Sequence, residues 1–229
     1  MRRKSLIALA VILAVVSLQS CKSNPEESLL KSYFHAVSLN DVSTMSTMAV
    51  DPLKIDAESW TITKSGEAKI EPASLADLAK AEVDLKKQQD AHVPVTLDAK
   101  DALDNAKDEL NSARTGAARA AAKAKVDAAQ TKYDEEYKLH QDIIRKYGEA
   151  KAATAREEEI TTFSLGAGQL PNIRELTGEV HSKEIEIKVK EKGGAEKNYR
   201  ITMRMYNLKD VAQNIPHRGR WIITKFEQI

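Results

Sequence analysis

The sequence predicts an α+β fold in which N-terminal helices pack on an antiparallel sheet and an antiparallel coiled-coil hairpin is inserted between the strands. Three observations favour this fold. Residues 74–159 are rich in Ala, Lys, Asp and Glu, contain a single proline, and repeat core-type positions at alternating steps of three and four. A short break divides this stretch into two arms of nearly equal length. After it, apolar residues alternate at period two, which is typical of strands.

The N-terminus predicts a signal peptide over residues 1–20. Three basic residues within the first four precede an apolar run over residues 6–18, which is too short to span a bilayer comfortably. The run ends in Leu18-Gln19-Ser20-Cys21, which resembles the lipobox of bacterial lipoproteins. The resemblance implies cleavage before Cys21, lipidation of that cysteine and a short polar tether over residues 21–25. Ordinary secretion with a chance cysteine is the alternative.

A lipid anchor also explains the cysteine content. Cys21 is the only cysteine in the chain, so it cannot form an internal disulfide. Lys22 rather than Asp follows it, and by the same resemblance this implies the outer membrane, with the protein facing the periplasm. Cleavage would remove three of the 35 basic residues and no acidic ones, leaving 32 basic against 34 acidic residues. Such a chain lacks the single-sign field that attracts DNA over a whole surface.

Two helices are predicted after the tether. Residues 26–40 form an amphipathic helix by their spacing, with Leu29, Leu30, Tyr33, Phe34 and Val37 on the apolar side. Residues 41–50 indicate a second short helix, with Met45 and Met48 facing inward.

Strands are predicted on both sides of the long helical stretch. Before it, residues 58–71 alternate as one strand, with Gly66 at a bulge or turn. After it, residues 160–165 indicate a short strand, and three further strands close the chain as an antiparallel meander. The inward-facing residues of its first two strands are predicted to be Ile185, Ile187, Val189, Tyr199, Ile201, Met203 and Met205. The last strand contributes Trp221, Ile222, Ile223, Thr224 and Phe226.

The stretch over residues 74–159 predicts two helices that face each other. The first seam consists of Leu75, Leu78, Leu85, Ala99, Leu103, Ala106, Leu110 and Ala113. The second consists of Val126, Gln130, Tyr133, Tyr137, His140, Ile144, Tyr147, Lys151 and Thr154. The tip between them is a candidate interaction site formed by Ala113, Arg114, Thr115, Gly116 and Arg119, where the glycine is expected to supply a positive backbone angle.

Two positions within the helical stretch carry their own predictions. Pro94 removes a backbone hydrogen bond, so a kink, a short break or a three-helix arrangement stays open. His140 in a seam predicts pH-sensitive packing. Helicity followed between pH 5 and 8 tests this, and an unchanged profile would reject it.

The order of elements resembles a known fold. Two helices with a Tyr33-Phe34 pair, a strand, a helical segment and a closing strand with Arg220-Trp221 are similar to the cystatin-like fold of the nuclear-transport-factor-two-like superfamily. The resemblance covers residues 26–72 and 160–229, and it implies that the usual third helix is replaced by or expanded into the hairpin, residues 73–159. Enzymes of that superfamily place Asp, His or Tyr in a pocket on the concave face of the sheet, and no acid or base here matches such a position.

The sequence predicts no catalytic residue, no metal and no cofactor. Its histidines lack paired ligand spacing, and it has neither a Gly-rich phosphate loop nor a nucleophile elbow. Acidic residues along both arms and the lack of stacking aromatics near the tip argue against nucleic acid. We therefore expect a lipid-anchored, non-catalytic envelope protein whose hairpin contacts a protein partner, pairs with itself or acts as a spacer. Binding of a small apolar ligand on the concave face is the alternative, and enzymatic turnover there is a third.

Overall fold

The computed structural model describes residues 25–166, 170 and 172–229 as four α-helices and a curled antiparallel sheet. The α+β prediction is therefore confirmed. The predicted signal peptide, the lipidation site Cys21 and the tether up to residue 24 lie outside the described residues. Within the described part of the chain, none of the helices is long and apolar enough to cross a membrane.

Two N-terminal helices cover one face of the sheet, as predicted. α1 (Pro25–Ser38) begins at a proline and carries two glutamates in its first turn, where the helix dipole favours acidic residues. Asn40 then turns the chain with a φ of 56°. The side chain of Asp41 caps α2 (Val42–Ser46) by accepting a hydrogen bond from the Thr44 amide at 3.0 Å.

The sheet is built around one long hairpin. β3 (Thr177–Glu191) pairs with β4 (Glu196–Asp210) along nearly its whole length. The outer strands are short, and each pairs with half of a central strand. β1 (Ala57–Ser65) and β2 (Lys69–Pro72) pair with β3, whereas β5 (Ile215–Arg218) and β6 (Ile222–Gln228) pair with β4, all of them antiparallel. The predicted meander corresponds to β3, β4 and β6, and β5 is an additional strand.

The single strand predicted over residues 58–71 is interrupted at Gly66. Its amide donates to the Glu184 carbonyl at 2.9 Å, and a Cβ at this position would lie 3.0 Å from the same oxygen. Glycine therefore allows the close approach between β1 and β2 that a side chain would hinder.

The sheet buries side chains on both faces, because neighbouring residues of a strand point to opposite sides. The first core lies under α1 and α2, where Leu30, Tyr33, Phe34, Val37, Met45 and Met48 pack with Ile185, Ile187, Val189, Tyr199, Ile201, Met203 and Ile223. The second core lies on the other face and contains Leu75, Ile160, Ile173, Leu176, Val180, Tyr206, Leu208 and Ile222. Ile173 belongs to a short 3-10 helix, Ile173–Glu175.

α3 (Leu75–Ser112) and α4 (Gly116–Leu165) pack against each other, and we call this pair the arm. Helices of 38 and 50 residues are about 57 and 75 Å long at about 1.5 Å per residue. They run antiparallel, since His92 contacts Glu136 whereas Glu109, farther along α3, contacts the earlier Lys125 of α4. α3 continues through Pro94, which rejects both the short break and the three-helix arrangement.

The strand predicted at residues 160–165 is wrong, because α4 continues to Leu165. Gly166 then ends the helix with a left-handed φ of 60°. Ile160, Thr161 and Ser164 are buried at helical spacing, so packing against the second core overrides the β-propensity of this segment.

Burial along the arm matches one predicted seam and corrects the other. In α3, Ala99, Leu103 and Ala106 are buried, and the other predicted seam residues are buried or half-buried. In α4 three predicted positions are wrong by one residue. Tyr137, Ile144 and Lys151 are exposed, and the residues before them, Glu136, Ile143 and Ala150, are half-buried instead. Large apolar residues one position from the seam produce the same spacing as the seam itself.

Candidate interaction arm

A buried polar cluster holds the root of the arm on the sheet. Glu157 of α4 is only 8 % exposed, and its carboxylate accepts hydrogen bonds from the Tyr206 hydroxyl at 2.7 Å and from Nη1 of Arg204 at 3.1 Å. The same Arg204 nitrogen donates to the Tyr206 oxygen at 3.2 Å. Both partners lie on β4, so the cluster fixes the helix to the centre of the sheet.

The electrostatics of this cluster favour a fixed protonation state. Burial, followed by the charge and hydrogen bond of Glu157, raises the pKa of Tyr206 above its usual value. Burial lowers the pKa of Arg204, but its contacts with Tyr206 and Glu157 raise it by more. Tyr206 therefore stays a neutral donor and Arg204 a cation, which is what a buried carboxylate needs.

A second contact secures the last turn of α4. The Ser164 hydroxyl donates to the Arg220 carbonyl at 2.8 Å and accepts from the Tyr206 amide at 3.2 Å. Gly219 makes this contact possible, because a Cβ there would lie 2.5 Å from the Ser164 oxygen and 2.8 Å from the Tyr206 carbonyl. The guanidinium of Arg220 lies 5.3 Å from the centre of the Phe163 ring.

Ion pairs on the surface of the root connect both helices of the arm. Arg174 of the 3-10 helix contacts Glu158 of α4 at 2.7 Å and Glu82 of α3 at 3.3 Å. Arg156 contacts Asp51, in the segment between α2 and β1. Together with the Glu157 and Ser164 contacts, these ion pairs join the root of the arm to the folded body.

The middle of the arm has polar residues inside. His92 and His140 stack with ring centroids 5.7 Å apart, and Nε2 of His92 lies 3.1 Å from the Glu136 carboxylate. The Thr96 hydroxyl lies 3.2 Å from Nδ1 of His92. Nδ1 of His140 is buried and has no hydrogen-bond partner among the described residues. These groups weaken apolar packing at mid-length.

The predicted tip residues do lie together at the junction of α3 and α4. Ala113 is half-buried, and Arg114, Thr115, Gly116 and Arg119 are exposed. The role predicted for the glycine is wrong, because Gly116 is the first residue of α4 and has no positive φ.

The reversal of the chain at the tip uses two extended residues. They are Ala113, with φ −71° and ψ 121°, and Thr115, with φ −106° and ψ 153°. Thr115 also caps α4 by accepting a hydrogen bond from the Ala118 amide at 3.2 Å.

The described residues give little support for catalysis or for metal binding. A cleft of about 530 Å³ lies beside Glu157, with Ser182, Thr202 and Arg204 among its lining residues. The Glu157 carboxylate is occupied by Tyr206 and Arg204, so it is not a free base. No group of three or more His, Cys, Asp or Glu side chains suited to a metal occurs in the described part of the chain.

Comparisons of this chain with protein-family models, with curated proteins and with solved structures find no match.

Sequence reasoning missed Glu157, Arg204 and Tyr206 as the residues that hold the arm. Glu157 continues the observed seam of α4, in which positions 150, 154 and 157 follow one another by four and three residues. The predicted seam steps by four after Thr154 and therefore points to Glu158 instead. A carboxylate at a seam position requires a buried cation or donor opposite it. The sequence alone does not say which strand supplies that partner.

Proposed function

We propose that this chain is a lipid-anchored cell-envelope protein, non-catalytic, that uses the arm to contact a protein partner. In this proposal a small cystatin-like body carries the arm as an inserted antiparallel coiled coil. The observation that carries it is the asymmetry of the arm. Its root is fixed by the buried Glu157 cluster, whereas the tip residues Arg114, Thr115 and Arg119 are exposed to solvent.

The position of the described N-terminus supports an anchor near the root. Three residues separate Cys21 from Pro25. Pro25 lines the same cleft as Arg220, whose guanidinium lies over Phe163 of α4. A lipid on Cys21 would therefore hold the root near the membrane and leave the tip free to reach a partner.

Two other functions have less support from the geometry. A small apolar ligand would need a cavity in the first core, and Ile185, Ile187 and Met203 there are fully buried by α1 and α2 side chains. Enzymatic turnover would need a free buried acid or base, and the Glu157 carboxylate already accepts two hydrogen bonds. A passive spacer remains the second candidate, since it needs only the length of the arm.

Crosslinking and affinity capture from native envelopes test the proposal with three chains. The first is the wild type. The second replaces residues 97–135 by a short Gly-Ser turn, which removes the tip and about the outer two fifths of the arm. The third deletes residues 103–109 and 123–129, one heptad from each helix at facing levels. This control keeps the tip and its register but shortens the arm by about 10 Å.

We expect specific partners to be captured by the wild type and by the shortened arm, and to be lost with the chain that lacks the tip. Circular dichroism of the purified chains checks that the sheet and the root stay folded. An identical set of partners for all three chains would reject the interaction arm. Loss of partners from both altered chains would indicate that length matters and favour the spacer.

A further inference from the structure

α3 carries a second row of residues beside its seam. Lys86, Asp90, Val93, Leu97, Lys100 and Asp104 follow one another by four, three, four, three and four residues, and all six are exposed. Steps of this kind place them in one row along the helix. We call this row the outer stripe. Its centre is apolar, and no other part of the described chain covers it fully. Val93 is 40 % exposed and Leu97 is 54 % exposed.

The charges of the outer stripe are arranged symmetrically around position 95. Val93 and Leu97 each lie two residues from it. Asp90 and Lys100 each lie five residues away, and Lys86 and Asp104 each lie nine. At these three distances the two members complement each other, apolar with apolar and acidic with basic. The next two residues of the row, Val83 and Lys107, each lie twelve residues from position 95 and do not complement each other.

From this arrangement we propose that the arm pairs antiparallel with the arm of a second copy of the chain, along the outer stripe. A two-fold axis at position 95 places Val93 on Leu97 of the second copy, Asp90 on Lys100, and Lys86 on Asp104. In a two-fold interface residue i contacts j and j contacts i, so each contact forms twice. Because α3 spans residues 75–112, the two helices overlap almost completely. The tip of one copy then lies near the root of the other, so two copies anchored in one membrane would hold their paired arms along its surface.

The contacts within one chain do not account for the stripe. Lys86 pairs with Asp90, and Lys100 with Asp104 at 3.0 Å, as exposed partners four residues apart. Such pairs contribute little to stability, and they do not require Val93 and Leu97 between them. The stripe is neutral, with two lysines and two aspartates, so a membrane or a polyanion has no charge to bind. Complementary charge at matched distances favours one register with a second copy.

The proposal rests on the arm being exposed as proposed above, but it uses the side of the arm rather than the tip. A failure to pair therefore leaves the tip proposal standing. The two are separated by repeating the envelope capture with an Asp90→Lys chain. This chain should keep its tip-dependent partners.

Sedimentation equilibrium of the full chain in density-matched detergent measures the pairing. The wild type should associate reversibly to a dimer. Asp90→Lys places two lysines opposite each other at two symmetric sites, so we expect the dissociation constant to rise by about tenfold or more. The double variant Asp90→Lys with Lys100→Asp restores opposite charges across the axis and should return the constant to within about threefold of the wild type.

The double variant also excludes an effect within a single helix. Inside one chain it puts like charges at residues 86 and 90 and again at residues 100 and 104, which destabilises a helix. If these charges acted only within one chain, the double variant would therefore be the least stable of the three chains. If they act between two chains, its dissociation constant returns toward that of the wild type. Both intrahelical pairs are exposed on a long packed helix, so their effect within one chain is small and circular dichroism should show nearly equal helicity for all three chains.

Disulfide trapping tests the register. Full chains carrying Val93→Cys and Leu97→Cys should crosslink when mixed under mild oxidation, because the proposed axis brings these positions together within the reach of a disulfide. Val93→Cys alone should give no more dimer than the wild type. A monomeric wild type, a double variant without rescue, or a crosslink from Val93→Cys alone would each overturn the antiparallel pairing.

Discussion

At the scale of single residues, the attachment of the arm depends on how Glu157 is satisfied. A buried carboxylate without partners loses several kcal/mol of solvation, so its hydrogen bonds are a condition for folding in this geometry. Tyr206 supplies one of them from a position that is itself fully buried. The cluster therefore couples the packing of the second core to the position of α4.

Removing the hydroxyl in Tyr206→Phe leaves Glu157 with Arg204 as its remaining side-chain partner. We expect the free energy of unfolding at pH 7 to fall by about 1–3 kcal/mol in urea denaturation. Tyr199→Phe is the control, because Tyr199 is also buried but its hydroxyl makes no hydrogen bond within the described chain, and we expect a change of less than about 0.5 kcal/mol. Equal losses in the two variants would show that the Glu157 bond does not hold the arm.

The same tyrosine predicts a dependence on alkaline pH. Its pKa is raised in the folded chain, so the unfolded chain loses the proton first, near pH 10. The stabilisation by Tyr206 is thus complete below pH 10 and is lost as the pH rises further. The difference in stability between wild type and Tyr206→Phe should therefore shrink above pH 10, and a difference that grows there would contradict the assignment.

At the scale of elements, periodicity located the helices better than it located their faces. The steps of three and four predicted both arm helices, yet Tyr137 and Ile144 were placed in the seam one residue too far along the chain. Spacing alone cannot distinguish a seam from a parallel row beside it, because both repeat every seven residues. The end of α4 was missed for another reason. Ile160 is buried through contacts with the second core, and those contacts are non-local.

Pro94 is the local conflict within α3, since it lies inside a continuous helix and is exposed. Proline cannot donate to the carbonyl four residues before it, and it costs a helix interior about 3 kcal/mol relative to alanine. Part of this cost is offset because proline reduces the conformational entropy of the unfolded chain.

We expect Pro94→Ala to raise the free energy of unfolding by about 2 kcal/mol in thermal and urea melts. Both melts are followed by circular dichroism at 222 nm, which reports helix content. The exposed Gln88→Ala is the control, with an expected change below about 0.5 kcal/mol. An unchanged or lower stability of Pro94→Ala would mean that the native packing requires the proline.

At the scale of the whole molecule, the arm and the body share the second core. Leu75 at the start of α3 is 1 % exposed and packs with strand residues such as Val180 and Ile222, and Glu157 bonds to β4. A boundary drawn at residues 73 and 159 therefore passes through side chains that the body needs. The sequence could place the change from period two to period 3.5, but it could not show that both ends of the arm are buried in the sheet.

Two shortened chains test this division. Replacing residues 79–153 by four Gly-Ser residues keeps Leu75, Thr154 and Glu157, and the linker can span the roughly 8–10 Å between the axes of packed helices. We expect this chain to keep a cooperative unfolding transition and a buried Tyr206.

Replacing residues 73–159 by the same linker removes Leu75 and Glu157. The second core then loses a buried leucine, and Arg204 loses its carboxylate partner. Losses of about 2–5 kcal/mol for the leucine alone predict that this chain unfolds at a much lower urea concentration or not cooperatively. The fluorescence of Trp60 and Trp221, which both chains keep, and circular dichroism during urea unfolding measure both chains. Equal stability of the two would show that the body folds without the root of the arm, and the Glu157 cluster would then serve only to orient the helices.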